Sequence, residues 1–261
     1  MLSLLLLTSS IILALHSTLG INDAKAQDSV VASIKVSSDP WHLIFNPANG
    51  RMYVAGGSSN LVTMIDSLTN KIVDNIPLVN FVYGIAYNSA NGNVYVTQGG
   101  NVSVIDSSTE DIIGTIHTGE TPYGIAYNPA NGNVYVTNAN SGTVSVINST
   151  NSVIANITVG PEPTGIAFNP ANGKMYVNHA TRPGTVSVIN STNRVTANVI
   201  VGNDPIDGIA FNPANGKMYI ANTDSNTVSI IDSSTNRVVN TISVGGNPEG
   251  IAFNPAMVKC M

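Results

Sequence analysis

Charge is scarce in this chain. Only 10 % of its 261 residues are Asp, Glu, Lys or Arg, against about 25 % in an average globular domain. Ten basic residues stand against fifteen acidic ones, for a net charge of −5 and a pI near 5.1. That balance excludes the basic stripe of a nucleic-acid binder. Aromatics are also few, at 6 %, with a single tryptophan. The one cysteine, Cys260, lies next to the last residue, which excludes an intrachain disulfide, a thiolate metal cluster and CxxC redox chemistry. The polar surface therefore has to come from Asn, Ser, Thr and Gly, residues that favour turns and strand edges over helices.

One long apolar run exists, over residues 2–15. It has the length of a signal-peptide core and falls short of the roughly 20 residues of a membrane span. Ala24-Lys25-Ala26 fits a small-x-small cleavage site, so residues 1–26 are expected to be a signal peptide and Gln27 the mature start. The rival expectation is an uncleaved N-terminal anchor. Either way the remaining chain is expected to be secreted, at the cell surface or in the periplasm, with no membrane span in its mature part.

Internal repetition dominates the rest of the chain. Asn46-Pro47-Ala48-Asn49-Gly50 returns at Asn88, Asn128, Asn169 and Asn212, and begins again at Asn254, with spacings of 42, 40, 41, 43 and 42 residues. A Tyr-Val or Tyr-Ile pair follows each complete loop, at Tyr53, Tyr95, Tyr135, Tyr176 and Tyr219. A Val-Ser-Val-Ile-Asp block or a close variant follows in turn, ending at Asp66, Asp106, Asn148, Asn190 and Asp232. Each period holds four short apolar runs; in the third they span 124–127, 133–137, 143–147 and 153–159. Thr143-Val144-Ser145-Val146 alternates polar and apolar residues, the period of a half-buried strand. Asn131-Gly132 supplies the positive φ of a tight connection. No stretch carries a 3.6-residue period.

Four strands per period of about 42 residues predict an all-β chain: a β-propeller of four-stranded antiparallel blades. Its expected limits are 27–255, with repeats over 40–78, 82–118, 122–160, 163–202 and 205–245. Residues 30–36 resemble an outermost strand and 248–255 the start of an innermost one, so a partial sixth blade is expected from the two chain ends, before a tail at 256–261. A ring left open there would expose strand edges that invite association. The other reading of the missing strands is a truncated fragment of a longer surface-layer protein.

Tyr135-Val136-Thr137-Asn138, in a repeat of this length, resembles the YVTN-repeat β-propellers, a family that includes archaeal surface-layer-like and bacterial periplasmic proteins. The resemblance covers residues 30–255. Only the third unit carries the full tetrad; the others read Tyr53-Val54-Ala55-Gly56, Tyr95-Val96-Thr97-Gln98, Tyr176-Val177-Asn178-His179 and Tyr219-Ile220-Ala221-Asn222. The motif implies a fold rather than a reaction.

In a propeller the loop leading into each first strand and the loop after each second strand share one face. The lead-in positions are Trp41, Tyr83, Tyr123, Thr164, Asp207 and Glu249, which vary from unit to unit as a recognition surface does. Three aromatics on adjacent units suit a contact patch for a glycan or protein partner. The alternative is that they cap the channel. His42, His117 and His179 fall near the same face, on units one, two and four, too far apart round a ring to predict a metal site. Asp204 and Asp207, with Glu249, offer carboxylates whose acid–base work would need convergence. Binding candidates are therefore Trp41, His42, Tyr83, Tyr123, His179, Asp207 and Glu249, with no catalytic residue, metal or cofactor assigned. Asp66, Asp106 and Asp232 interchange with Asn148 and Asn190, which points to turn-making. Sequons at Asn101, Asn148, Asn156 and Asn190 are candidate glycosylation sites.

The expected function is a non-enzymatic envelope scaffold that binds a protein or glycan. The alternative, drawn from fold analogy, is a propeller enzyme of the lyase, lactonase or quinoprotein-like kind. It would require acids and histidines lining one channel mouth with a metal or cofactor, and Asp207, Glu249 and a histidine within about 4 Å of one another, the reach of a charge pair, would favour it.

Overall fold

The computed structural model describes Val30, residues 32–36 and residues 39–254 in full, and the strands Ser3–Leu7, Ser10–Ala14 and Lys259–Cys260 by their backbone. Five antiparallel sheets of four strands each follow one another along the chain. Blade 1 comprises β1 (His42–Asn46), β2 (Arg51–Ala55), β3 (Leu61–Asp66) and β4 (Lys71–Pro77). Blade 2 comprises β5 (Val82–Asn88), β6 (Asn93–Gln98), β7 (Asn101–Asp106) and β8 (Ile112–His117). Blade 3 comprises β9 (Pro122–Asn128), β10 (Asn133–Asn138), β11 (Thr143–Ile147) and β12 (Val153–Thr158). Blade 4 comprises β13 (Pro163–Asn169), β14 (Lys174–His179), β15 (Thr185–Ile189) and β16 (Val195–Ile200). Blade 5 comprises β17 (Ile209–Asn212), β18 (Lys217–Asn222), β19 (Thr227–Asp232) and β20 (Arg237–Ser243). The four runs of the third repeat match the strands of blade 3 to within two residues at each end.

The repeated loops make the turns by local hydrogen bonding. In every blade the first Asn of Asn-x-Ala-Asn-Gly accepts the Ala N–H on its side-chain oxygen at 2.9 Å. The closing glycine sits at φ between 69° and 77° and donates its N–H back to that Asn carbonyl. This left-handed position is one that glycine takes without strain. Asp66 and Asn148 accept two backbone N–H groups each from their own turns. They are turn-makers, as their interchange suggested.

Second and third strands are buried, while the outer strands face solvent on one side. The core consists of successive layers between neighbouring blades: Tyr135, Val144, Val146 and Ile157 of blade 3 pack with Met175, Val177 and Ile189 of blade 4. The tyrosine after the loop also locks blades together at one rim in blades 2, 3 and 4. Tyr95 and Tyr135 donate to Asn151 and Asn193 of the following blade at 2.6 and 2.8 Å.

The partial sixth blade is not seen as a sheet among the described residues. Residues 32–36 carry no strand; Ile34 and Val36 instead pack on Met52, Val54 and Ile65 of blade 1. Phe253–Asn254 pairs with Lys259–Cys260 rather than with another blade. At the N-terminus Ser3–Leu7 pairs with Ser10–Ala14; the expected cleavage point at Gln27 lies outside the described residues. Among the described residues no further four-stranded sheet follows blade 5, and its outer strand is left exposed. Ile242 and Val244 are 43 % and 40 % exposed, whereas their counterparts Ile157 and Val159 in blade 3 are 7 % and 9 % exposed. No described helix is long and apolar enough to cross a membrane.

Candidate functional site

The lead-in residues Tyr83, Tyr123 and Thr164 are held by the blade before them. The second strand of blades 2 and 3 carries a threonine that takes an N–H from its own blade and gives its hydroxyl to the next. Thr97 Oγ1 accepts from Gly84 N at 2.7 Å and donates to the Tyr123 carbonyl at 2.8 Å. Thr137 Oγ1 accepts from Gly124 N at 2.8 Å and donates to the Thr164 carbonyl at 2.6 Å. Only glycine fits beside these carbonyls. A Cβ on Gly84, Gly124, Gly165 or Gly208 would meet the carbonyl oxygen of Tyr123, Thr164, Asp207 or Glu249 at 2.2–2.8 Å.

Blade 1 departs from this wiring. His42 occupies the glycine position and Ala55 the threonine position. The His42 Nδ1 lies 2.8 Å from the Tyr83 carbonyl. A carbonyl only accepts, so Nδ1 carries the hydrogen and Nε2 is left to face blade 5. There it lies 3.9 Å from Asp207 Oδ1.

Trp41, Tyr83 and Tyr123 close over the same point. The two tyrosine rings stack at 5.2 Å and 28°, and Trp41 stands edge-on to both at 5.9 and 6.0 Å. Trp41 is braced by its N–H to the Ala55 carbonyl at 3.0 Å. It remains 50 % exposed. The Tyr123 hydroxyl donates to Asp207 Oδ2 at 3.4 Å, joining blade 3 to blade 5. Asp207 Oδ1 is buried and accepts no hydrogen bond. Burial pushes the Asp207 carboxyl above its ordinary 3.8, and the Glu249 charge pushes it the same way; His42 and the Tyr123 hydroxyl oppose them. Burial, helped by Asp207 and Glu249, likewise pushes the Tyr123 phenol far above 10.

Five of the seven candidate binding residues thus converge: Trp41, His42, Tyr83, Tyr123 and Asp207. Glu249 is exposed and acts on this cluster through its charge. Thr164 is buried, and its hydroxyl turns into the Pro205 carbonyl at 3.2 Å. Asp204 does not join Asp207; it lies 3.7 Å from Arg182.

His179 does not belong to the site. It is 2 % exposed, with Nδ1 2.7 Å from the Pro161 carbonyl and Nε2 2.8 Å from Ser187 Oγ. It fills the role that Asn138 and Asn222 fill toward Ser145 and Ser229 in blades 3 and 5. His117 lies on the outer strand of blade 2, bound to Asn101 at 2.6 Å. Among the described residues no three His, Cys, Asp or Glu side chains gather as a metal site. Of the sequons, Asn148 and Asn190 use their carboxamide oxygens inside turns, Asn101 binds His117, and Asn156 is exposed but accepts from Ser145.

The role of His42 as a replacement for glycine emerges only from the structure. Its signal was nonetheless present: aligning the repeats on Asn46, Asn88, Asn128, Asn169 and Asn212 puts glycine four residues earlier in every unit except the first.

No family model matches the sequence, and none of the curated proteins does. Among solved structures, hydrazine synthase of Kuenenia stuttgartiensis superposes with a TM-score of 0.63 at 15 % identity, over 89 % of this chain and 98 % of that one. Selenomethionine-substituted virginiamycin B lyase of Staphylococcus aureus superposes with a TM-score of 0.70 at 16 % identity, over 81 % of this chain and 73 % of that one. The shared feature is the propeller fold, which hosts unrelated functions.

Proposed function

We propose that this chain is an exported propeller of the YVTN-repeat kind that serves at the cell surface or in the periplasm as an interaction scaffold, binding a glycan on the face where the lead-in loops meet. The observation that carries the reading is the cluster of Trp41, Tyr83 and Tyr123 beside the unpartnered Asp207 oxygen. Flat aromatic faces accept the apolar CH face of a pyranose ring, and a carboxyl oxygen takes its hydroxyls. A half-exposed tryptophan with a polar neighbour suits a sugar better than it suits a broad, dry protein interface. Export rests on the apolar run at 2–15 and the Ala24-Lys25-Ala26 site. Residues 30–36 and 248–255 belong in this reading to a further blade position, and the exposed outer strand of blade 5 is a second contact surface.

A propeller enzyme is the second reading, favoured by one observation: His42 Nε2, Asp207 and the Tyr123 hydroxyl meet within 3.9 Å. A histidine and a carboxyl with a raised affinity for protons can exchange one across a bound substrate. Trp41 is the sole tryptophan, so its fluorescence reports the site directly. Saturable quenching by oligosaccharides that are recovered unchanged supports the scaffold; their conversion supports the enzyme.

A further inference from the structure

The cluster on this face is short of one positive charge. Asp207 Oδ1 is buried without a hydrogen-bond donor, and its nearest nitrogen, His42 Nε2, stands off at 3.9 Å. The charged and titratable groups that act on Asp207 are His42 from blade 1, Tyr123 from blade 3 and Glu249 following blade 5; no Lys or Arg is among them. Arg182, on the loop after the second strand of blade 4, is engaged by Asp204 and Asp224 instead. Beside the two carboxyls stands Trp41, half exposed, and the face of an indole attracts cations.

A neutral sugar would leave that potential unanswered. A protonated amine on the sugar ring answers it, set against the Asp207 carboxyl, whose side chain is 16 % exposed, while the ring carbons lie against Trp41. Resting on the glycan reading above, we propose that the ligand is an amino sugar with a free ammonium group, recognised through Asp207, Glu249 and the face of Trp41. A lysine side chain carries the same charge on a thin, mobile stem, and it leaves the half-exposed indole without the flat partner that a pyranose supplies.

The test titrates Trp41 fluorescence of the full chain at pH 6.5 with glucosamine tetramer, N-acetylglucosamine tetramer, a neutral glucose tetramer and tetralysine. The amino sugar is expected to bind about tenfold more tightly than the other two sugars, the increment of one charge-assisted hydrogen bond. Asp207→Asn is expected to abolish that preference, so that the three sugars quench with the same, weaker affinity, and Glu249→Gln, on an exposed residue, to reduce it by a smaller factor. Equal affinity for all three sugars overturns the ammonium assignment and leaves the glycan reading standing. No response to any sugar overturns both, as does quenching by tetralysine alone.

Discussion

His42 donates from Nδ1 to the Tyr83 carbonyl at 2.8 Å, and so replaces a threonine hydroxyl that blades 2 and 3 use for the same purpose. The replacement frees the other ring nitrogen to face Asp207 of blade 5. A packing contact between two blades has thereby become one wall of the candidate site. His42→Gly is expected to cost about 1–2 kcal/mol, because the Tyr83 carbonyl loses its donor. The double variant His42→Gly with Ala55→Thr rebuilds the wiring of blades 2 and 3. It is expected to recover most of that loss in thermal melts while still lacking the group that faces Asp207.

Asp207 makes the fold depend on pH in a definite direction. Its carboxyl is pushed above 3.8, first by burial, so the folded chain holds a proton that the unfolded chain releases. Stability from this group therefore falls as pH rises from 3.8 through the folded value. Asp207→Asn removes the dependence. The difference in melting temperature between variant and wild type is expected to grow in favour of the variant across that window. A constant difference would contradict the assignment.

His179 acts in the opposite sense. Burial holds its imidazole below 6.5, so its contribution is complete above 6.5 and is lost as pH falls through the folded value. His179→Asn introduces the residue that brackets Ser145 and Ser229 in blades 3 and 5. The variant is expected to match wild type near pH 8 and to melt higher near pH 5. Sugar binding at the lead-in face should not change.

Blade 5 carries the face that every preceding blade buries against its successor. With Ile242 and Val244 more than one-third exposed, the chain is expected to self-associate as concentration rises. Ile242→Ser with Val244→Thr should shift the light-scattering mass toward the monomer without lowering the melting temperature.

The blades were legible because each turn is written locally. Asn-Pro-Ala-Asn-Gly or its close variant fixes its own geometry through an Asn side chain and a left-handed glycine, and it does so five times. The lead-in positions were legible for a different reason, since they vary where the rest repeats. Two things escaped. His179 looks like a ligand in sequence, but only the depth of its burial and the position of Ser187 reveal a bracket between strands. The pairing of His42 with Asp207 joins residues 165 positions apart and depends on how the first and fifth blades face each other. A local pattern carries no information on that spacing. The sixth blade is likewise a matter of distant pairing: 30–36 has a strand-like pattern, but among the described residues no strand is assigned to it.

Glycan recognition at the lead-in face is tested most directly by a glycan array probed with the chain from Gln27 onward, beside its Trp41→Ala variant. Trp41 is half exposed and packs by its edge, so the variant is expected to fold. The wild-type chain is expected to retain a defined set of glycans, headed by those with free amines, and the variant to lose it. Retention unchanged in the variant, or no glycan retained by either protein, would contradict a glycan site built on Trp41.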